Sequence, residues 1–479
     1  MAPGDDDNLV ERVAQLEGVV ARLEATVSSR DAEITLKDRA LISQRDRIAV
    51  LEKALEESRR GGKRQAAPFS KGGTKADPKT PGRKSGEGHG RHGNRRAPVG
   101  PPDRDFDAGL PAGCPDCGGP VVCDRVESQW QVDIPPVVPV VTRFNVAVGH
   151  CAGCGTRVQG THPDQTSQAL GAAASSVGPT AKAMAAWLHY ALGLSFPKTR
   201  AVLARFGIDV TAGAICQSSA TSASKELVPV HAELVRAANA SKSLVMDETG
   251  WRVGGHGGWM WVATNAEFTL YWVTPHRGFA DATATVTADY DGIIVRDGYV
   301  VYDHYDRASH QTCLAHLLRR CREMEDDLPP ADTKIPRAAK AILKDALAAR
   351  DLDSPERAAA AVELTARLDK LSARPVGHDA NRRLLAHLAH QAPAMFTFLT
   401  AQPSLSLDAT NWRAETGIRP AVVNRKVWGG NRTWSGAETQ GVITSIIRTA
   451  AQHGVDAVEY LARRARAPDP GLQILLGHR

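Results

Sequence analysis

The stretch Ser243-Leu244-Val245-Met246-Asp247-Glu248-Thr249 is an apolar run ending in acids. Gly292-Ile293-Ile294-Val295-Arg296-Asp297-Gly298-Tyr299 repeats that pattern further along the chain. Short β-branched and apolar runs bounded by turn formers read as buried strands. A carboxylate at the exit of such a strand is costly to leave unpaired, so a cation is its natural partner. Asp247 and Asp297, delivered by neighbouring strands, would make a hard, oxygen-rich site suited to Mg²⁺. The runs 258–264 and 268–273 lie between them and, with 243–249, predict an antiparallel meander. Glu248 follows Asp247 directly, so it faces the opposite side of its strand and reads as a structural or supporting acid.

Outward from these strands, 178–241 turns helical. Phe196 to Phe206 predicts one helix, Gly207-Ile208-Asp209 a tight turn, and Thr211 to about Ser222 a second helix capped by Thr211. That arrangement is a candidate helix-turn-helix for a DNA major groove, although Ala212 to Ala220 offers few long polar side chains to read bases. Upstream, Cys114-Pro115-Asp116-Cys117-Gly118 and Cys151-Ala152-Gly153-Cys154-Gly155 are two Cys-x-x-Cys knuckles, each closed by Gly. Four thiolates at this spacing predict one structural Zn²⁺ in a zinc-ribbon-like module. Alternation in 129–133 and 140–146 predicts a β-hairpin between the knuckles. Cys123 reads as a small buried hydrophobe.

The chain has 479 residues, with 59 Lys+Arg against 53 Asp+Glu and a formal charge of +6. Twelve Lys or Arg but only Asp77 and Glu87 fall between Arg59 and Arg96, a net +10, which leaves −4 for everything else. This Gly- and Pro-rich segment reads as a flexible basic linker able to contact phosphates, with Arg83, Lys84, Arg95 and Arg96 as candidates. Before it, Val13, Val20, Val27, Ile34, Leu41, Ile48 and Leu55 recur every seven residues, beside Leu9, Leu16, Leu23 and Leu51. β-branched residues at a and Leu at d predict a parallel two-stranded coiled coil and so a homodimer or higher assembly. Arg30, Lys37 and Gln44 interrupt the d row. With 42% hydrophobic and 23% charged residues, wholesale disorder is excluded. No apolar run long enough to span a membrane and no basic n-region at the start are evident, so a cytoplasmic protein is expected.

Taken together in order, Asp247-Glu248-Thr249, Trp251-Arg252-Val253, Gly258-Trp259-Met260-Trp261-Val262, His276-Arg277-Gly278, Asp297-Gly298-Tyr299 and Cys313-Leu314-Ala315-His316 resemble the insertion-sequence-66 family of transposases. The resemblance continues through Asn411-Trp412-Arg413-Ala414-Glu415 and Arg425-Lys426-Val427-Trp428, and takes in the coiled coil, the Pro68-Phe69-Ser70-Lys71-Gly72 linker motif and the double knuckle. It implies a DNA transposase with an RNase-H-like core whose catalytic triad is Asp247, Asp297 and Glu415. Two Mg²⁺ or Mn²⁺ ions would be held there, with Asp247 bridging them. It also implies binding to transposon terminal repeats and target DNA, nucleoid association, and small accessory proteins of the same element. Thr416 stands where the family usually carries Arg, and only Asn411 remains of its usual Asn pair. Glu438 is therefore the alternative third acid. Cys313-x-x-His316 matches a signature of several transposase families. A zinc set with Cys321 and His310 is conceivable, but a structural or DNA-positioning role for His316 is favoured. His316, Arg319, Arg320, Arg419, Arg425 and Lys426 are candidate DNA contacts. A zinc-containing DNA-binding regulator without catalysis, or a nonspecific metal-dependent nuclease, are the rival functions.

The expected architecture is multidomain α+β. A coiled-coil helix (8–57), basic linker (58–110) and four-cysteine zinc module (111–160) precede a helical region (165–240). An RNase-H-like α/β catalytic core (241–440) follows, with a helical insertion at about 322–405 and a helical tail (441–479).

Overall fold

The computed structural model describes residues 12–31, 34, 37, 44, 96–466 and 471–476. The chain divides into two units, Met1–Arg96 and Ala97–Arg479. In the first, residues 12–31 are helical, and the apolar seam Val13, Leu16, Val20, Leu23 and Val27 is exposed. Most of the remaining expected coiled coil, and Arg83, Lys84 and Arg95 of the linker, lie outside the described residues.

The second unit is organised by a five-stranded mixed sheet. Its strands are β3 (Ser243–Val253), β4 (His256–Thr264), β5 (Thr269–Thr274), β6 (Ile293–Arg296) and β7 (Ser309–Thr312). They lie in the order β5-β4-β3-β6-β7. The β3–β4 and β4–β5 pairs are antiparallel, whereas β6 and β7 run parallel to β3. The meander thus forms as its alternation predicts, and β3 extends four residues beyond the expected run because β4 pairs with it as far as Val253↔His256. Gly254 and Gly255 close that two-residue hairpin with φ of +60° and +84°. Those angles match the strand twist and carry no penalty in a residue without Cβ.

Alternation along β3 sorts two cores. Leu244 and Met246 face one side, where they pack with Tyr190, Leu227, Leu234, Trp261, Ile446 and Tyr460. Val245, Trp251 and Val253 face the other, with Val262, Tyr271, Ala414, Ile418 and Val422. On the first side lie α1 (Pro179–Ala186), α4 (Val228–Ala240), α10 (Trp434–Gln452) and α11 (Ala457–Arg466). The second is covered by α9 (Trp412–Trp428). Between α1 and α4, α2 (Phe196–Arg205) and α3 (Ala212–Thr221) form the anticipated helical pair, and Thr211 Oγ1 accepts the Ala214 N–H at 3.1 Å as its cap.

Two of the expected boundaries fall where packing is continuous. The 165–240 helices share a core with the sheet, and position 440 falls inside α10, whose Val442, Ile443, Ile446 and Ile447 are buried. The sheet covers the apolar faces of these helices. The insertion does have its own core. Helices α5 (Leu314–Asp327), α6 (Lys334–Ala349), α7 (Ser354–Ser372) and α8 (Asp379–Gln391) bury Leu317, Ile342, Leu364, Leu368, Leu384 and Leu388 together.

The hairpin expected within 129–146 is absent. Residues 118–147 have no regular secondary structure, and the strands near the second knuckle are β1 (Val148–His150) and β2 (Arg157–Gln159), paired with each other. Pro135, Pro136 and Pro139 fall in the segment between the predicted strands, where their fixed φ works against turning one back on the other, and Val126, Ile134, Val140 and Val141 remain exposed. Cys123 is also exposed rather than buried.

A buried bond helps tie α9 to the sheet: Tyr271 O–H on β5 donates to the Gly417 carbonyl at 2.6 Å. Tyr271→Phe leaves that buried carbonyl unpaired and is expected to lower unfolding free energy by about 1–3 kcal/mol, measured by chemical denaturation.

Candidate active site

Three carboxylates from distant parts of the chain lie within electrostatic range of one another beside the central strand. Asp247 sits midway along β3 on the α9 side, Asp297 immediately follows β6, and Glu415 lies in the first turn of α9. Asp247 is pushed well above the usual carboxylate range, first by burial, then by Glu248 and Asp297, with a further contribution from Glu415; the Glu248 N–H opposes this. Each acid is oriented locally. The Glu248 N–H donates to Asp247 Oδ1 at 2.9 Å and the Tyr299 N–H to Asp297 Oδ1 at 2.8 Å. His316 Nε2 stands 3.6 Å from Glu415 Oε1.

Glu248 takes the opposite face, as strand alternation requires, and its side chain is fully buried. Arg277 Nε donates to it at 2.8 Å, and the Tyr302 O–H donates to its other oxygen. The Arg277 guanidinium itself lies over the Trp259 and Tyr299 rings, 4.7 and 3.7 Å from their centroids. Burial and Asp297 raise Glu248, while Arg277 and the Tyr302 hydrogen bond pull it back. Arg277 and Tyr302 therefore carry structural weight that their positions in the sequence did not disclose. The His276-Arg277-Gly278 motif was the available signal for the first, and Tyr302 had none.

The Cys313-x-x-His316 pair braces the third acid. Cys313 precedes α5 and its sulfur accepts the Asn411 N–H at 3.3 Å, while the Leu314 N–H donates to the Ala409 carbonyl at 3.0 Å. These bonds fix the chain where it enters α9, one turn before Glu415. Cys321 is buried in the insertion core, so a zinc set built from Cys313, His316, Cys321 and His310 does not form. Glu438, the alternative third acid, lies exposed on the second turn of α10.

The candidate DNA contacts are dispersed. On α5, Arg319 is exposed and Arg320 half-buried; Arg419 and Lys426 are exposed on α9. Arg425 is half-buried, its Nη1 lies 3.5 Å from Thr249 Oγ1, and burial together with Arg252 lowers its pKa. Arg96 is exposed in the first unit.

Both cysteine knuckles are shaped alike. The Gly118 N–H donates to the Cys114 carbonyl and the Gly155 N–H to the Cys151 carbonyl, each at 2.8 Å, and both glycines have φ near +70° (+73° and +71°). The Asp116 and Cys117 amides lower the Cys114 thiol pKa, and Thr156 lowers that of Cys154. The four thiols are not gathered, however. Among the described residues no three His, Cys, Asp or Glu side chains stand close enough to hold one metal ion, at the knuckles or among the acids.

The sequence model of the transposase IS66 family matches residues 174–439, more than half of the chain and all three acids. The chain belongs to the IS66 transposase family. No curated protein matches it. A transposase acts on DNA, and among the described residues no helix is long and apolar enough to cross a membrane.

The carboxylate cluster has a pH signature. A folded-state pKa raised above the unfolded value means that the folded Asp247 binds its proton more tightly. Its contribution to stability is therefore lost as pH rises from the unfolded value near 4 toward the folded one. In metal-chelated buffer, Asp247→Asn is expected to unfold at a higher temperature than the natural protein, with a gap that widens between about pH 4 and 7. Thermal melts across that range test this, and a constant gap would contradict it.

Proposed function

We propose that this transposase cleaves the ends of its element and joins them to target DNA at a site made of Asp247, Asp297 and Glu415. The observation that carries the reading is electrostatic: Asp297 and Glu415 both raise Asp247, so three acids far apart in sequence share one neighbourhood. The sheet supports it, because in an RNase-H-like fold one acid lies on the first strand, one at the end of the fourth and one on a later helix. Here β3 is the first strand of the five and β6 the fourth.

The donor set suits hard divalent ions, two Mg²⁺ or Mn²⁺, since carboxylate oxygens are their preferred ligands and the acids repel one another in their absence. Bound there, such ions supply Lewis acidity that activates a water or a DNA 3′-hydroxyl and stabilises the leaving oxygen of an in-line displacement. The protein's own residues orient and exclude. His316 faces Glu415, Glu248 is held off the site by Arg277 and Tyr302, and Arg319, Arg320, Arg419, Arg425 and Lys426 supply positive charge for phosphates. Arg83, Lys84, Arg95 and Arg96 extend that charge into the linker.

We assign one structural Zn²⁺ to Cys114, Cys117, Cys151 and Cys154. Two like-shaped knuckles with depressed thiols at Cys114 and Cys154 suit a thiolate-bound ion. The exposed heptad seam at 12–31 favours pairing of two chains, which joining two transposon ends requires. Terminal repeats are read by the helical pair and the zinc module, with accessory proteins of the element as further partners.

A labelled terminal-repeat duplex with Mg²⁺ tests the central reading. Strand joining supports it, whereas indiscriminate nicking would indicate a nuclease and binding alone a regulator. Asp297→Ala and Glu415→Ala should each reduce joining by about a thousandfold or more while duplex binding persists, and Glu438→Ala should not. One zinc per chain is expected by elemental analysis of the purified protein, lost in a Cys117→Ser, Cys154→Ser double variant.

A further inference from the structure

We infer that the helical insertion is a positioning element for the second acid: the end of α8 holds the Asp297 loop in place through Arg296. Arg296 is the last residue of β6 and is only 3% exposed. Its Nη1 donates to the Asp297 carbonyl at 2.9 Å, to Thr312 Oγ1 at 3.1 Å, and to Gln391 Oε1 at the end of α8. Its Nη2 donates to Asp303 Oδ1 at 2.6 Å, and the other Asp303 oxygen lies 3.0 Å from His390 Nε2. One guanidinium thus joins the loop after β6, strand β7, the 300–304 turn and the insertion. The fork makes this possible, because its donors sit on separate nitrogens, whereas an ammonium has three N–H groups on one nitrogen for four acceptors.

A second contact comes from the same helix. His387 lies against Gly298, the residue after Asp297, so closely that a Cβ there would sit 3.1 Å from its Cε1. Helix α8 therefore touches the loop on both sides of Asp297, once by hydrogen bonds through Arg296 and once by packing. Within the loop the Tyr299 N–H closes back on Asp297 Oδ1. Rotation of α8 would have to break this set or carry Asp297 with it.

The inference rests on the reading of Asp297 as a metal-holding acid, and two measurements keep the two separable. Hydrogen exchange of the 297–299 amides in the full chain reports the loop without metal. Mn²⁺ titration by calorimetry reports its consequence. Arg296→Lys keeps the charge and loses the fork; His390→Ala is the safer variant for folding, since that side chain is 62% exposed. In Arg296→Lys the loop amides should exchange faster while β3 and β4 stay protected, and Mn²⁺ affinity should fall about tenfold or more. His390→Ala should shift both in the same direction by a few fold. Unchanged loop exchange in a folded Arg296→Lys protein, or in His390→Ala if the former does not fold, overturns the inference. If the natural protein binds no Mn²⁺, the metal reading of Asp297 falls, and loop exchange alone decides whether α8 positions it.

Discussion

Everything at this site follows from the cost of gathering carboxylates where water is scarce. Asp247 and Glu248 are consecutive on a buried strand, and Asp297 and Glu415 are close enough to oppose the ionisation of Asp247. Such a group of acids is tolerated only if each charge finds a partner or keeps its proton. The chain resolves half of the problem itself. Glu248 is given Arg277, which the Trp259 and Tyr299 rings both contact. Among the described residues Asp247 receives a backbone N–H but no cationic side chain, and its carboxyl holds its proton to higher pH. The asymmetry lies between two neighbouring acids: Glu248 has a paired guanidinium and Asp247 does not.

The scaffold around the acids is correspondingly stiff. Helix α9 is pinned near Glu415 by the Cys313–Asn411 contact, at its middle by Tyr271, and near its end by Asn424, whose Nδ2 donates to the Tyr190 carbonyl. Trp428 closes that helix against His189, stacked at 4.9 Å, and His189 in turn stacks on Phe196 at 3.9 Å. Burial lowers the His189 pKa to about 4, so the ring is neutral near pH 7 and packs as an aromatic. Phe196 opens the first helix of the helix-turn-helix-like pair, so the proposed DNA-reading helices and the helix bearing Glu415 are parts of one packed body.

What could be read from the sequence divides along physical lines. Strands and helices were legible where one short-range period dominates: the apolar run before Asp247, the alternation of 258–264, and the Thr211 cap. The placement of Asp247 and Asp297 followed from those strands. Glu415 could be named only by resemblance, because its proximity to Asp247 spans 168 residues and leaves no local trace. Arg296 and Tyr302 escaped for the same reason, their partners Gln391 and Glu248 lying 95 and 54 residues away. The failed hairpin at 129–146 is the converse case. Alternation was present there, but alternation requires a covering layer, and the prolines between the two runs disfavour the turn that would bring them together.

The junction between insertion and sheet shows why polar contacts matter at this position. Each part has an apolar core of its own, so burial alone would hold the insertion near the sheet without fixing its angle. The join is made instead by buried hydrogen bonds. Gln311 accepts the Phe398 N–H at 2.8 Å and donates to the Met395 carbonyl at 3.1 Å, while Arg296 and Thr312 meet Gln391. Such groups cost desolvation that an apolar interface would avoid, and they contribute little net stability in exchange. What they contribute is direction: a buried donor that loses its acceptor is penalised, whereas a leucine that slides along another is not. Directional bonds concentrated beside Asp297 therefore argue that the orientation of the insertion, and not merely its attachment, is what this junction specifies.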